Sequence, residues 1–219
     1  MSELVRYERI DAVSVVTMDD GKVNALSEAM FLALNAALDR AQADATVVLL
    51  TGRPKLFSAG FDLAVFKRGK AEQVAMLSAG ARMTERLLSF PAPVVAAAGG
   101  HAIAMGAFLL LSADVRFGVS NSATLIQANE VEIGMTVPRF ATEVCRQRLA
   151  PAHFNRVVIT AEPYSPQRAV EAGFLDELVP ADQLLSAARA KAAALAKLVR
   201  ENHVATKLRA RSNFATGAC

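Results

Sequence analysis

Two glutamates, Glu130 and Glu132, stand in the segment QANEVEIGMTVP (Gln127 to Pro138), among Val, Ile and Met. A carboxylate in such company either faces water or is kept out of it. One kept out of water becomes a better base, because desolvation disfavours its charged form. In an extended segment Glu132 would share the face of Glu130; in a helical turn it would point away. Two glycine turns follow apolar runs, FSAGFDL (Phe57 to Leu63) and GGHAIAMGAF (Gly99 to Phe108). Gly60 and Gly106 let the main chain approach a ligand closely. Gly106 also opens an apolar helix, where N–H groups are unpaired and the dipole favours negative charge. Two such donors converging on one oxygen make an oxyanion hole. Neither turn fits the G-x-G-x-x-G or P-loop pattern. No Ser/His/Asp or Cys/His arrangement is present, which argues against nucleophilic hydrolysis, and no residue spacing points to a metal. His101 reads as a satisfied histidine, Asp62 as a turn-forming carboxylate, and Glu143 and Arg146 as solvent-facing charges on a helix after Pro138.

The elements that must hold these residues follow from local patterns. AVSVVTM (Ala12 to Met18) is a strand by β-branched content and alternation. DDGKVNALS is a loop, with Ser27 as N-cap of a helix to about Ala43. ATVVLLTG is a buried strand ending at Gly52, KLFSAGFDL a glycine-containing loop, and a helix runs from about Ala71 to Leu88. APVVAAAGG is a third buried strand, MGAFLLLSAD a helix, and VRFGVS and ATLIQ short strands. Uninterrupted apolar strands alternating with helices predict an α/β protein with largely parallel pairing. Later, Ser165, Pro166 and Gly173 mark a helix start and stop, and Asp182 to about Arg211 reads as one long helix.

Hydrophobic residues make up 53% of the 219-residue chain and charged residues 21%, values of a globular protein towards the apolar end. Leu87 to Ala113 carries no Asp, Glu, Lys or Arg, yet two prolines and three glycines break it up, so a buried core rather than a membrane span is expected. Seven of the 24 basic residues but one of the 21 acids fall in Ala187 to Cys219. A solvated helix face explains this more economically than a phosphate-bearing partner or nucleic acid, for which no motif exists. Cys145 and Cys219 offer no disulfide framework. With no apolar signal core near the N-terminus, a cytoplasmic protein is expected.

VNALS, VVLLTG, LFSAGFDL, GGHAIAMGAF…SADVRF, NEVEIGMTVP and SPQRAVEAGFLDELVP occur in that order. The ordered set resembles the crotonase (enoyl-CoA hydratase/isomerase) superfamily over nearly the whole chain. The resemblance implies a spiral of strand-strand-helix units with a helical C-terminal layer. Residues 1–180 would form the acyl-CoA-binding core and 181–219 an oligomer-facing helical region of the same unit, in a homotrimer or hexamer. It implies an acyl-CoA substrate, with coenzyme A entering as the thioester and no separate cofactor. The thioester oxygen would sit between the N–H groups of Phe61 and Met105, where the family often has Gly at the second position. Ala25, Ala59, Gly60, Asp62 and Leu63 would line the path of the CoA moiety, and Gly106 and Phe108 would border the acyl group. Family hydratases carry two glutamates. Phe108 occupies the position of one, and Glu130 that of the other. Loss of one carboxylate with retention of the other resembles the Δ3,Δ2-enoyl-CoA isomerases. One base suffices there for a 1,3-proton shift, while an oxyanion hole offsets the weak acidity of the thioester α-proton by about 3–4 kcal/mol per donor. The same pattern leaves two other readings open, another crotonase-type reaction such as hydration and a catalytically weak acyl-CoA-binding protein.

Overall fold

The structure, a computed structural model, describes residues 4–120, 123–212 and 214. A six-stranded sheet runs in the order β1-β2-β4-β7-β9-β11. Its members are β1 (Val5–Ile10), β2 (Val13–Met18), β4 (Val47–Thr51), β7 (Val94–Ala98), β9 (Val115–Val119) and β11 (Glu177–Val179). Only β1 and β2 pair antiparallel; every other neighbouring pair is parallel. In β4 and β7 every residue is buried. Val48, Leu50, Val94 and Ala96 belong to the core on one face, Val47, Leu49, Val95 and Ala97 to the core on the other. Burial on both faces is why these strands read as continuous apolar runs.

A smaller parallel sheet, in the order β10-β8-β5, uses β5 (Lys55–Ser58), β8 (Gly100–Ile103) and β10 (Ile126–Gln127). A third pairing joins β3 (Ala25–Leu26) to β6 (Gly60–Phe61). The chain therefore repeats one gesture: a strand in the large sheet, a strand in the small one, then a helix. It does so as β4, β5 and α2 (Leu63–Phe66) with α3 (Lys70–Leu88), as β7, β8 and α4 (Met105–Leu111), and as β9, β10 and α5 (Arg139–Arg148). The expected strand-strand-helix architecture is present.

Helix α1 (Glu28–Ala43) starts where sequence placed it, with Ser27 Oγ accepting from Met30 N–H at 3.2 Å. After α6 (Pro151–Val158), α7 (Pro166–Ala172) ends at Gly173 in the left-handed region, φ 93°. Ser165 begins α7 without a side-chain capping bond.

Three expectations need correction. KLFSAGFDL is not a loop: it holds β5 and β6 and is stitched into both minor pairings. The predicted helix from Asp182 to Arg211 is broken into a 3₁₀ turn (Ala181–Gln183), α8 (Leu184–Leu195) and α9 (Arg200–Ala210). No Gly or Pro marks the break; Val199, in extended conformation, turns the chain so that α9 can reach the main sheet. The basic excess of this region is also not simply a solvated face. Lys207 is 6% exposed and ion-pairs with Asp114 (2.8 Å), which Arg211 also engages at 2.8 Å. Helix α8 meanwhile buries Leu184, Ala188 and Ala192 on the sheet. Cys145 is buried with a free thiol, while Cys219 lies outside the described residues. No described helix is long and apolar enough to cross a membrane.

Candidate active site

Asn24, fully buried at φ 49°, ties the first half of the site together. Its Nδ2 donates to the carbonyls of Met18 (2.9 Å) and Phe57 (3.1 Å), and its Oδ1 accepts from Asp20 N–H (3.0 Å). Its own carbonyl accepts from Ser58 Oγ at 2.7 Å, and Ser58 Oγ in turn accepts from Gly60 N–H at 3.1 Å. Ala59 N–H donates to the Val23 carbonyl at 3.0 Å. The bend between β5 and β6 is therefore fixed by backbone-directed bonds to the residues before β3, and Gly60 adopts φ 90° within it.

That bend touches the start of α4. A β-carbon built on Gly60 would lie 2.8 Å from the Ile103 carbonyl oxygen, 2.9 Å from Ala104 Cβ and 3.3 Å from Met105 N. The absent side chain is what lets the two segments meet. Ala104, between β8 and α4, has φ 49° and ψ −122°, a conformation costly for an L-residue by about 1–3 kcal/mol. This turn brings the first residue of α4 against Gly60, with Met105 N 3.3 Å from where a Gly60 β-carbon would lie. Intrahelical bonding starts only with Ala107 and Phe108, whose N–H groups share the Ala104 carbonyl (2.9 and 3.2 Å). The N–H groups of Met105 and Gly106 precede it and carry the positive end of the helix dipole.

The third segment is an irregular turn. Ile133 N–H donates to Asn129 O, Gly134 N–H to Val131 O and Met135 N–H to Glu130 O (3.2, 3.2 and 2.8 Å). This helical curl separates the two glutamates. Glu132 faces solvent and accepts from Gln127 Nε2 at 2.6 Å, whereas Glu130 turns inward and is 3% exposed. Burial pushes the Glu130 carboxyl up to about 7, with its own backbone N–H opposing part of the rise. Its Oε2 has no hydrogen-bond partner among the described residues, and neither does Asn129 Oδ1.

These segments enclose a cavity of about 70 Å³. Ala59, Phe61 and Leu63 line one side, Leu77 of α3 and Ala104 another, and Asn129, Glu130, Ile133, Met135 and Pro138 the third. Leu63 and Ile133 are 51% and 44% exposed, so the site has apolar side chains open to solvent. Of the residues singled out from sequence, Ala59, Phe61, Leu63 and Glu130 line this cavity. Gly60 and Met105 stand directly behind it. Gly106 faces away, its would-be β-carbon 2.5 Å from the Ser58 carbonyl oxygen. Phe108 is fully buried, edge-on to Phe140 with ring centroids 6.4 Å apart, and does not border the cavity. Asp62 caps α2, accepting from Ala64 N–H at 3.0 Å, and lines a separate groove between α1 and α3. Ala25 pairs with Gly60 across β3 and β6, outside the cavity. Sequence reasoning missed Leu77, Ala104, Asn129, Ile133, Met135 and Pro138. Four of these six sit in the very segment that holds Glu130, whose helical curl from Asn129 to Met135 the two-residue spacing of the glutamates left open.

Larger clefts exist, of about 560, 570 and 640 Å³, but none is bordered by Glu130, and the carboxylate in the first, Asp114, is paired with Lys207 and Arg211. His101 borders the largest one, its Nδ1 accepting from Leu125 N–H at 3.0 Å, which makes it a satisfied histidine.

The family model described as enoyl-CoA hydratase/isomerase matches residues 8–215. A protein of Rhodobacter capsulatus named probable enoyl-CoA hydratase is 34% identical over 88% of this chain and 75% of its own length. A solved apo structure of a Mycobacterium tuberculosis protein superposes with a TM-score of 0.95 at 43% identity, covering 100% of this chain and 95% of that one. That protein is called both an enoyl-CoA isomerase and a probable enoyl-CoA hydratase. The human mitochondrial Δ3,Δ2-enoyl-CoA isomerase superposes at 0.93 with 26% identity, covering 97% of this chain and 85% of its own. With the family model spanning nearly every residue described above, the chain belongs to the enoyl-CoA hydratase/isomerase family, within the crotonase superfamily.

Proposed function

We propose that the protein is a Δ3,Δ2-enoyl-CoA isomerase. One observation carries the reading: among the described residues Glu130 is the sole carboxylate bordering the cavity, and the position where family hydratases place a second glutamate is Phe108, packed in the core. A single desolvated base can remove a proton from C2 of a 3-enoyl thioester. The N–H groups of Phe61 and Met105 hold the oxygen of the dienolate, and the protonated Glu130 returns the proton at C4. Each donor at the oxygen contributes about 3–4 kcal/mol by analogy with acyl-transfer sites. The base is poised near neutrality, where a catalytic group combines the right protonation state with useful basicity. Coenzyme A arrives and leaves as part of the thioester. Family assemblies suggest a homotrimer or hexamer, which light scattering reads directly.

The name of the Rhodobacter relative favours a second reading, hydration of a 2-enoyl-CoA. Incubation with 3-enoyl- and 2-enoyl-CoA separates the two, because isomerisation moves the double bond whereas hydration yields a hydroxyacyl-CoA. The expected result is isomerisation, with kcat rising as pH passes through about 7 and then levelling. Glu130→Gln is expected to lower kcat by about 10²–10⁴-fold. An unchanged rate in that variant removes Glu130 as the base.

A further inference from the structure

Phe61 borders the cavity, and its ring packs beside the Met105 thioether against Gly80 of α3. On α3, Leu77 and Gly80 are three residues apart and share a face. Leu77 borders the cavity, while Gly80 is buried one turn further along. A β-carbon on Gly80 would lie 2.6 Å from Phe61 Cζ, 2.9 Å from Phe61 Cε1 and 3.3 Å from Met105 Sδ. The ring edge and the thioether therefore rest side by side on bare glycine backbone, in the room a side chain at 80 would take. Phe31 and Phe66 brace the ring, at centroid distances of 6.2 and 5.9 Å. Phe61 is 8% exposed and borders the cavity, whereas Met105 is fully buried and stands behind it.

We propose that this Phe61–Met105 wall, seated on Gly80, sets the acyl-chain length and restricts the enzyme to short enoyl groups. The inference rests on the isomerase reading for its substrate and adds the chain length. The cavity of about 70 Å³ is small. At roughly 10–15 Å³ per water-sized atom it takes about five to seven heavy atoms, which, with the carbonyl oxygen counted, corresponds to acyl groups of about four to six carbons. Met105 contributes its N–H to the thioester oxygen and its side chain to the wall, so a side-chain change there leaves the donor in place.

The test compares kcat/KM for 3-enoyl-CoA esters from four to twelve carbons in the wild type and in Met105→Ala. The wild type should favour the short esters by about tenfold or more, and Met105→Ala should shift the long-to-short ratio by about tenfold towards long chains. Gly80→Ala, which pushes the ring and thioether into the cavity, should restrict turnover to the shortest ester. Circular dichroism confirms that each variant is folded, and Phe61→Leu replaces any that is not, with the same expected shift as Met105→Ala. Equal wild-type activity on all lengths, or an unchanged ratio in the folded wall variants, overturns the proposal. Should the wild type isomerise no ester, the isomerase reading fails by itself. The wall is then read from melting temperatures with saturated acyl-CoA esters: stabilisation by butanoyl-CoA above dodecanoyl-CoA, reversed in Met105→Ala, supports it, and equal stabilisation overturns it.

Discussion

Glu130 costs the fold something when it is charged, and the sign of that cost can be read. Its ordinary value is 4.5 and its value in the folded chain is about 7, so the folded state holds the proton more tightly than the unfolded one. Below pH 4.5 both states are protonated and no cost exists. Between 4.5 and 7 the cost grows, and above 7 it is constant at about 3 kcal/mol. Glu130→Gln, which keeps the shape and removes the charge, should therefore be more stable than the wild type at pH 8 by up to about 3 kcal/mol. The two should converge near pH 4, as followed by urea unfolding across pH. Equal stability at both pH values would mean that the carboxylate is solvated. At this scale the sequence was half legible. The apolar neighbours of Glu130 and Glu132 advertised a desolvated acid, but two residues apart they were equivalent until the curl from Asn129 to Met135 placed one inside and one outside.

The elements that border the cavity depend on side chains that do not reach it. Asn24 makes three bonds from a fully buried position and holds β2, β5 and the turn before β3 in register. Asn24→Ala leaves the Met18 and Phe57 carbonyls buried without that donor, at about 1–3 kcal/mol each. The expected outcome is a loss of about 2–4 kcal/mol in denaturant unfolding, together with a lower kcat as the Gly60–Phe61 bend loosens. Local chemistry made some elements readable: Ser27 capped α1 and Gly173 closed α7 as their residue types require. It failed where tertiary pairing decides. β6 is two residues long and exists because β3 lies beside it, and a strand of that length has no periodicity to read. The break between α8 and α9 is equally silent, since Ala, Lys, Leu and Val continue a helix as well as they end one.

At the scale of the molecule, the segments that line the cavity follow the ends of β5, β8 and β10, while α9 clasps the chain where β7 and β9 begin. Lys207 Nζ donates to the Ala92 carbonyl and to Asp114, Arg211 to the Leu88 carbonyl and to Asp114, and Asp114 also accepts from Val94 N–H at 2.7 Å. Asp114 is the carboxylate that both cations share. Asp114→Asn leaves two cations with little exposure unpaired, for an expected loss of about 3–5 kcal/mol. Thermal unfolding at neutral pH measures it, and a change under 1 kcal/mol would show that the clasp contributes by packing alone. Sequence gave the right count of charges in this region and the wrong direction for two of them. Charge excess along a helix does not say which turn faces the sheet, and only the bend at Val199 decides that Lys207 points inward.

The sulfur atoms around the site differ in their exposure to oxidants. Cys145 is buried, and its thiol is held protonated by burial and by the charge of Glu130. Oxidation proceeds through thiolate, so that position is chemically silent in the native fold. Met105 is sealed behind Phe61. Met135 is neither: it is half-buried and borders the cavity. Peroxide would therefore reach this site first at Met135, as a polar sulfoxide at the rim of an apolar pocket, with Glu130 and the start of α4 left unaltered.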